Sequence, residues 1–289
     1  MEKKIVIITG ANSGIGRQTA LGLAKDGFYV VLACRNHDKA QVVLNKIIAN
    51  GGEGEIIPID LASLKSVRVF ADTFLSKHSR LDVLINNAGT VRLKRSVTND
   101  GYESQFQVNY LSHFLLTMLL LKTLLNTPDS RCIILSSLTH KWRPIKFDNL
   151  LYHQDFTMRE SYGTSKLANL IFAKELTKRL SKFNVDFTMS AVDPGVVSTN
   201  IFWDRQSKIT HIISLISRPF LTPARWAAKT PIFLASTKEK IPSGNLWKHC
   251  KIIDCSVYAK NGKTNTRLFD LSCDLLNIDF NKILQDINR

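Results

Sequence analysis

Tyr162 and Lys166 stand four residues apart in a stretch with helical spacing, so their side chains share one helix face about a turn apart. A phenol with a pKa of ~10 exchanges protons poorly near neutrality. A neighbouring ammonium favours the phenolate and lowers that pKa, which suits the pair to general acid and base work on a bound oxygen. Tyr-x3-Lys also arises by accident, and the bland alternative is a solvated surface pair. Two hydroxyls, Ser136 and Ser137, argue against it, because they close an apolar run upstream that reads as a strand. Strand alternation sends them to opposite faces, so only one can help Tyr162 hold an oxygen.

A second constellation opens the chain. Thr9-Gly10-Ala11-Asn12-Ser13-Gly14-Ile15-Gly16-Arg17 links the apolar run 4–9 to an amphipathic stretch over 16–26. A strand-to-helix turn of this kind gathers free backbone N–H groups and the positive end of a helix dipole at one point, where a pyrophosphate is stabilised. Glycines permit close backbone approach and positive φ. At the end of the second apolar run the chain reads Ala33-Cys34-Arg35-Asn36, with no acid to bond ribose hydroxyls. Arg35 can hold a 2′-phosphate instead, which favours NADP(H) over NAD(H). Arg17 is a second candidate cation or a solvated helix residue, and Asp38 fits an N-terminal helix position.

The elements that must position these groups alternate short apolar runs with longer amphipathic stretches, the pattern of repeated β-α units around a parallel sheet. Strands are predicted at 4–9, 29–33, 55–59, 81–85, 132–135, 185–192 and 245–247. Helices are predicted at 16–26, 39–50, 64–76, 109–125, 162–180, 223–235 (Thr222 as N-cap, Pro223 at N1) and 264–276. Pro58 should lie where the ladder needs no donor. The uncharged stretch 104–121 approaches membrane-span length, but Gln107, Asn109, Ser112 and His113 suit a core helix better. No repeat or Gly/Ser linker divides the chain, so 1–289 reads as one domain: a Rossmann-type doubly wound α/β sheet of about seven strands with helices on both faces.

The motifs fall in an order that resembles the short-chain dehydrogenase/reductase family, whose glycine motif is TGxxxGIG. Asp60-Leu61, Asn86-Asn87-Ala88-Gly89, Asn109, Ser136-Ser137, Tyr162-x3-Lys166 and Pro194-Gly195 follow in register over almost the whole chain. Ala33-Cys34-Arg35, the long gap before Tyr162 and Asp270-Leu-Ser-Cys-Asp-Leu-Leu276 resemble its retinol-dehydrogenase-like branch. The resemblance implies hydride transfer between NADP(H) and a lipophilic alcohol or its aldehyde or ketone, with Asn109, Ser137, Tyr162 and Lys166 as the reacting set. Ser137 would orient the carbonyl oxygen, Asn109 would hold a water leading to Lys166, and Lys166 would also bind the nicotinamide ribose. Gly10, Asn12, Ser13, Gly14, Ile15 and Gly16 would carry the phosphates, with Arg35 and Asn36 at the 2′-position. Asp60 and Leu61 would bracket the adenine, and Asn87, Ala88 and Gly89 would line the adenosine ribose and the nicotinamide pocket floor. Pro194, Gly195, Val197 and Thr199 would hold the carboxamide end. A substrate lid is expected at 198–221, whose Ile209, Ile212, Ile213, Leu215, Ile216 and Phe220 make it apolar; core packing or a membrane surface are the other uses of that segment.

Composition bounds the remaining readings. Of 289 residues 44% are hydrophobic and 22% charged, which excludes a disordered, collagenous or disulfide-stapled chain. Lys+Arg 39 minus Asp+Glu 24 gives +15, which suits phosphates or anionic lipid, yet no motif for nucleic acid accompanies it. Five cysteines, with no paired metal-ligand spacing, read as structural thiols of an intracellular, cytoplasmic protein with no metal site. No signal peptide is recognisable, and the first apolar run passes directly into the glycine turn. A second copy of the chain and a membrane surface stay open as partners. The alternative function is an NADP(H)-binding redox sensor or scaffold without turnover.

Overall fold

The computed structural model describes residues 3–151, 154–195 and 222–285. Val197, Thr199 and the expected lid at 198–221 lie outside the described residues.

The alternating pattern resolves into β1 (Ile5–Thr9), α1 (Gly14–Lys25), β2 (Tyr29–Cys34), α2 (His37–Ala49), β3 (Glu53–Pro58), α3 (Leu64–Lys77), β4 (Val83–Asn86), α4 (Ser104–Leu125), β5 (Ser130–Leu135), α5 (Met158–Leu180) and β6 (Phe187–Val192). Helices α6 (Ala224–Ala227) and α7 (Lys229–Ser236), strands β7 (Leu246–Lys248) and β8 (Lys251–Ile253), and helices α8 (Gly262–Leu276) and α9 (Phe280–Gln285) follow among the described residues. The strands form one sheet in the order β3-β2-β1-β4-β5-β6-β7-β8. Every neighbouring pair through β7 is parallel, and β8 runs antiparallel to β7. The strand order reverses beside β1, between β2 and β4, and a crevice opens there at the carboxyl ends of the strands.

Strands covered on both faces must be apolar throughout, and β1, β4 and β5 are buried along their whole length. One face packs Ile7, Val31, Leu84 and Ile134 against α3, α4, α5 and α8; the other packs Val6, Ile8, Leu32 and Ile85 against α1, α2 and α7. Although α4 is long and apolar enough to cross a membrane, most of it is buried in the first of these layers. Within it, Gln107–Leu111 form a π-helical segment, which shifts the register of the residues that follow Asn109.

Several boundaries differ from those predicted. Helix α5 begins at Met158 rather than 162, because the Thr157 side chain accepts from Glu160 N and starts the helix a turn earlier. Pro223 is itself the N-cap rather than N1, and the stretch expected as one helix divides into α6 and α7 around Ala228. The eighth strand escaped notice because it spans three residues and follows a two-residue turn without glycine. His249 and Cys250 both adopt positive φ, 51° and 59°, as such a hairpin requires. Pro58 lies at the end of edge strand β3, where its missing donor costs nothing.

Candidate active site

The site starts with how tightly β1 meets β4. Gly10 adopts φ +66°, and a Cβ there would come 3.1 Å from both Ala88 Cα and Ala88 Cβ. At Gly16 a Cβ would collide with Asn87 Nδ2 and with the Gly10 carbonyl. Both positions therefore require glycine, one for conformation and contact, the other for contact alone. Asn87 Nδ2 donates to Thr9 O at 2.7 Å, which binds the loop after β4 to the end of β1. One N–H of the Asn87 side chain is thus held within the scaffold, while Ala88 and Gly89 line the crevice.

A cavity of about 540 Å³ occupies that crevice. Gly10, Asn12, Ser13, Arg35, Asn36, Asp60, Leu61, Ala88 and Gly89 line it, all of them expected at a dinucleotide. Gly14, Ile15 and Gly16 form the first turn of α1 behind it, and Ile15 packs its side chain on Ala227 and Ala228. Asn36 also caps α2, its Oδ1 accepting from Lys39 N at 2.8 Å, and Asp38 falls in that helix's first turn as predicted. Cys34 sits beneath the glycine turn, where burial pushes its thiol up to about 11. Lys39 and Arg92 also line the cavity and escaped notice in the sequence, having no motif to mark them. Arg35 is 72% exposed, with Nη1 3.8 Å from Asp60 Oδ1, so its guanidinium is held only loosely. Arg17 does not line this cavity, and its buried Nε has no hydrogen-bond partner among the described residues.

Behind Gly89, β5 and α5 bring the reacting candidates together. Ser136 Oγ donates to Lys166 O at 2.8 Å and is buried, which removes it from the crevice. Ser137 is the member that hydrogen-bonds Tyr162. Lys166 Nζ donates to Leu135 O at 3.0 Å and stands 5.6 Å from the centre of the Tyr162 ring. It also lies 3.6 Å from where a Cβ on Gly89 would be, which places the ammonium against the β4 loop. Asn109 Oδ1 accepts from Thr90 N at 2.7 Å, while Nδ2 donates to Thr90 O and to Ser165 Oγ. Its amide thus holds the loop after Gly89 in place. Pro194 and Gly195 follow β6, and Gly195, at φ +79°, donates its N–H to Asp193 Oδ1.

The electrostatics correct one expectation. Four-residue spacing suggested a phenol lowered by its cation, yet Tyr162 is pushed up to about 12. Burial is the larger cause, Asp193 adds to it, and the Ser137 hydrogen bond opposes it. Lys166 is itself lowered to about 8 by burial. Asp193 is a further residue that sequence reasoning missed: it is buried, and its Oδ2 pairs with Lys248 Nζ at 3.2 Å.

The turn Leu138–Lys141 and the following Trp142 pack against α5 next to Tyr162. Trp142 lies over Gly163, 3.3 Å from where a Cβ would stand, and the Arg159 guanidinium lies 4.6 Å from the indole centre. Leu138, next to Ser137 in the chain, and Trp142 are nonetheless exposed. Among the described residues no cluster of His, Cys, Asp or Glu could hold a metal ion, and all five cysteines carry free thiols.

Comparison with known proteins agrees with this geometry. The family model described as short chain dehydrogenase matches residues 4–210. Retinol dehydrogenase 12 of Mus musculus is 40% identical over 96% of this chain and 87% of its own length. Retinol dehydrogenase 14 of Homo sapiens is 38% identical over 94% and 86%. Among solved structures, an uncharacterised protein from Mycobacterium paratuberculosis superposes with a TM-score of 0.78 at 31% identity, covering 96% of this chain and 94% of the other. The Pseudomonas aeruginosa RhlG/NADP active-site complex does so with 0.66 at 25% identity, covering 84% and 93%.

Proposed function

Because this chain belongs to the short-chain dehydrogenase family, and so to the oxidoreductases acting on CH–OH groups, we propose that it uses NADP(H) to interconvert a lipophilic alcohol and its aldehyde or ketone. The whole of 1–289 serves as one dinucleotide-binding domain. The observation that carries this reading is the Ser137–Tyr162 hydrogen bond beside Lys166, whose ammonium stands against Gly89, a wall residue of the crevice that the glycine turn also lines. A bound NADPH would supply the hydride for the carbonyl carbon, and NADP+ would take one from the alcohol.

This chain's own residues do the rest. Ser137 and Tyr162 hold the substrate oxygen, and Tyr162 gives it a proton as negative charge develops there. A phenol held near 12 is protonated at neutral pH, which is the form carbonyl reduction consumes. Lys166 keeps a cation beside that oxygen and bonds the nicotinamide ribose. Asn109 fixes the Gly89–Thr90 turn and so the floor on which the ring rests. Gly10, Asn12 and Ser13 accommodate the phosphates; Arg35, Asn36 and Lys39 face the 2′-phosphate; Asp60 and Leu61 flank the adenine. The preference for NADP(H) rests on this cationic rim, with no acid at the end of β2. The names of the retinol dehydrogenase relatives, together with exposed Leu138 and Trp142, favour an apolar and unsaturated substrate such as a retinoid. The apolar 198–221 segment is proposed as its lid, with a membrane surface as a second use.

NADPH oxidation followed at 340 nm with aliphatic, cyclic and polyene carbonyls tests this reading. The expected result is turnover on the apolar members, with Tyr162→Phe slower by about 10³-fold and still binding NADPH. Equal rates for the two proteins would discard the assigned chemistry, and NADPH binding with no turnover on any carbonyl would leave a dinucleotide-binding protein without activity.

A further inference from the structure

The Thr9 hydroxyl joins three parts of the molecule. Its Oγ1 accepts from the backbone N–H groups of Asn87 and Ala88, each at 2.9 Å, and lies 3.0 Å from His113 Nε2. On the other side of that imidazole, Nδ1 lies 3.1 Å from the Asn109 carbonyl oxygen. A carbonyl only accepts, so Nδ1 carries the ring proton and Nε2 is a bare acceptor. The Thr9 hydroxyl hydrogen therefore points at His113, and the Ile85 carbonyl at 3.5 Å is a longer and weaker alternative. With its hydrogen so placed, both lone pairs of Oγ1 are free for the two N–H groups. The ring is fully buried, and burial lowers His113 to about 4, so it stays neutral at every working pH.

We propose that His113 is a positioning residue for the dinucleotide: by fixing the Thr9 hydroxyl through Nε2, it fixes the Asn87–Ala88 turn on which the dinucleotide rests. The inference depends on the reading above, in which the dinucleotide lies across Gly10 and Ala88. Those two backbones meet with no spare room, since a Cβ on Gly10 would already come 3.1 Å from Ala88. A shift of a few tenths of an ångström in the turn therefore moves the floor of the site. The competing explanation is that His113 merely satisfies the Asn109 carbonyl inside a core helix.

Two near-isosteric substitutions separate these roles. His113→Gln can place an amide oxygen near the position of Nε2, keeping the bond to Thr9 and losing the one to Asn109. His113→Asn can place an amide nitrogen near Nδ1, keeping the Asn109 bond and losing Thr9. By calorimetry, the NADPH dissociation constant should rise about tenfold in His113→Asn, the worth of one buried hydrogen bond, and stay within about threefold of wild type in His113→Gln. Asparagine binding NADPH as tightly as glutamine, or more tightly, would overturn the proposal while leaving dinucleotide binding intact. A wild-type protein that takes up no NADPH would remove both this inference and the function it rests on. If either variant fails to fold, the ring ¹⁵N shifts of the wild type decide. The Nδ1–H tautomer, with no titration between about pH 6 and 8, is expected, and a proton on Nε2 would refute the link to Thr9.

Discussion

Lys166 is held as a cation where burial works against it, so replacing it should cost activity and return stability. Its pKa falls from 10.5 to about 8, with desolvation as the cause. At 1.36 kcal/mol for each tenfold, keeping the ammonium folded at pH 7 costs about 3 kcal/mol. Lys166→Met removes that cost and gives up one hydrogen bond to Leu135 O, a carbonyl that still accepts from Asn169 Nδ2 at 2.9 Å. A hydrogen bond from an ammonium is worth about 1.5–3 kcal/mol, so the variant should be at least as stable as wild type at pH 7, by up to about 2 kcal/mol. The sign with pH follows. Between 8 and 10.5 the folded protein binds fewer protons at this site than the unfolded chain, so the stability this site contributes rises with pH and is lost as pH falls through 8. From pH 7 to 9 that rise amounts to about 1 kcal/mol in wild type, and Lys166→Met should lack it. Tyr162 acts in the opposite sense above about pH 10, and the raised thiols of Cys34, Cys132 and Cys273 each remove about 0.4 kcal/mol by pH 9. Those losses are common to both proteins, so the difference between their urea midpoints from pH 7 to 9 isolates the lysine. Parallel curves for the two proteins, or a variant clearly less stable than wild type at pH 7, would refute the assignment of an uncompensated buried cation.

Three further outcomes are expected. Gly16→Ala forces a Cβ onto Asn87 Nδ2 and the Gly10 carbonyl, so NADPH affinity should fall by at least about tenfold, with a thermal midpoint lower by several degrees; calorimetry and a melt check both. Arg35→Ala removes a cation that lines the adenosine end of the cavity, so the NADPH dissociation constant should rise about tenfold with little change for NADH, and an equal loss for both cofactors would dismiss the 2′-phosphate role. Asp82→Ala strips the buried Ile5 N–H of its acceptor at 2.8 Å and breaks the ion pair with Arg80; stability should fall by about 2–4 kcal/mol in urea titrations, with KM for substrate unchanged.

The β-α order was legible because parallel strands buried on both faces must be nearly pure apolar runs, as Ile5–Thr9 and Val83–Asn86 are. The hairpin Leu246–Lys248 to Lys251–Ile253 was not, because its turn adopts positive φ at His249 and Cys250, residues that carry no turn signature. The cavity-lining glycine turn, Arg35 and Asp60 were legible from local spacing. Lys39 and Arg92 were not, since they reach the cavity only through the course of α2 and the loop after β4.

The reacting pair shows where spacing stops being informative. Four residues on one helix face place Lys166 near Tyr162, and the 5.6 Å separation of ammonium and ring agrees. Spacing gives proximity, however, and a pKa depends on proximity weighed against desolvation. In the fold, α5 is buried along the turns that carry both residues, so each loses water that would stabilise its charged form. The phenol rises to about 12 and the ammonium falls to about 8, so burial drives both groups toward neutrality. The lysine alone is therefore not enough to make Tyr162 a base near neutral pH; the same burial leaves it a protonated donor beside Ser137. Reading the direction of that shift needed the sheet, the helix behind it and Asp193 on the neighbouring strand end, none of which a Tyr-x3-Lys spacing contains.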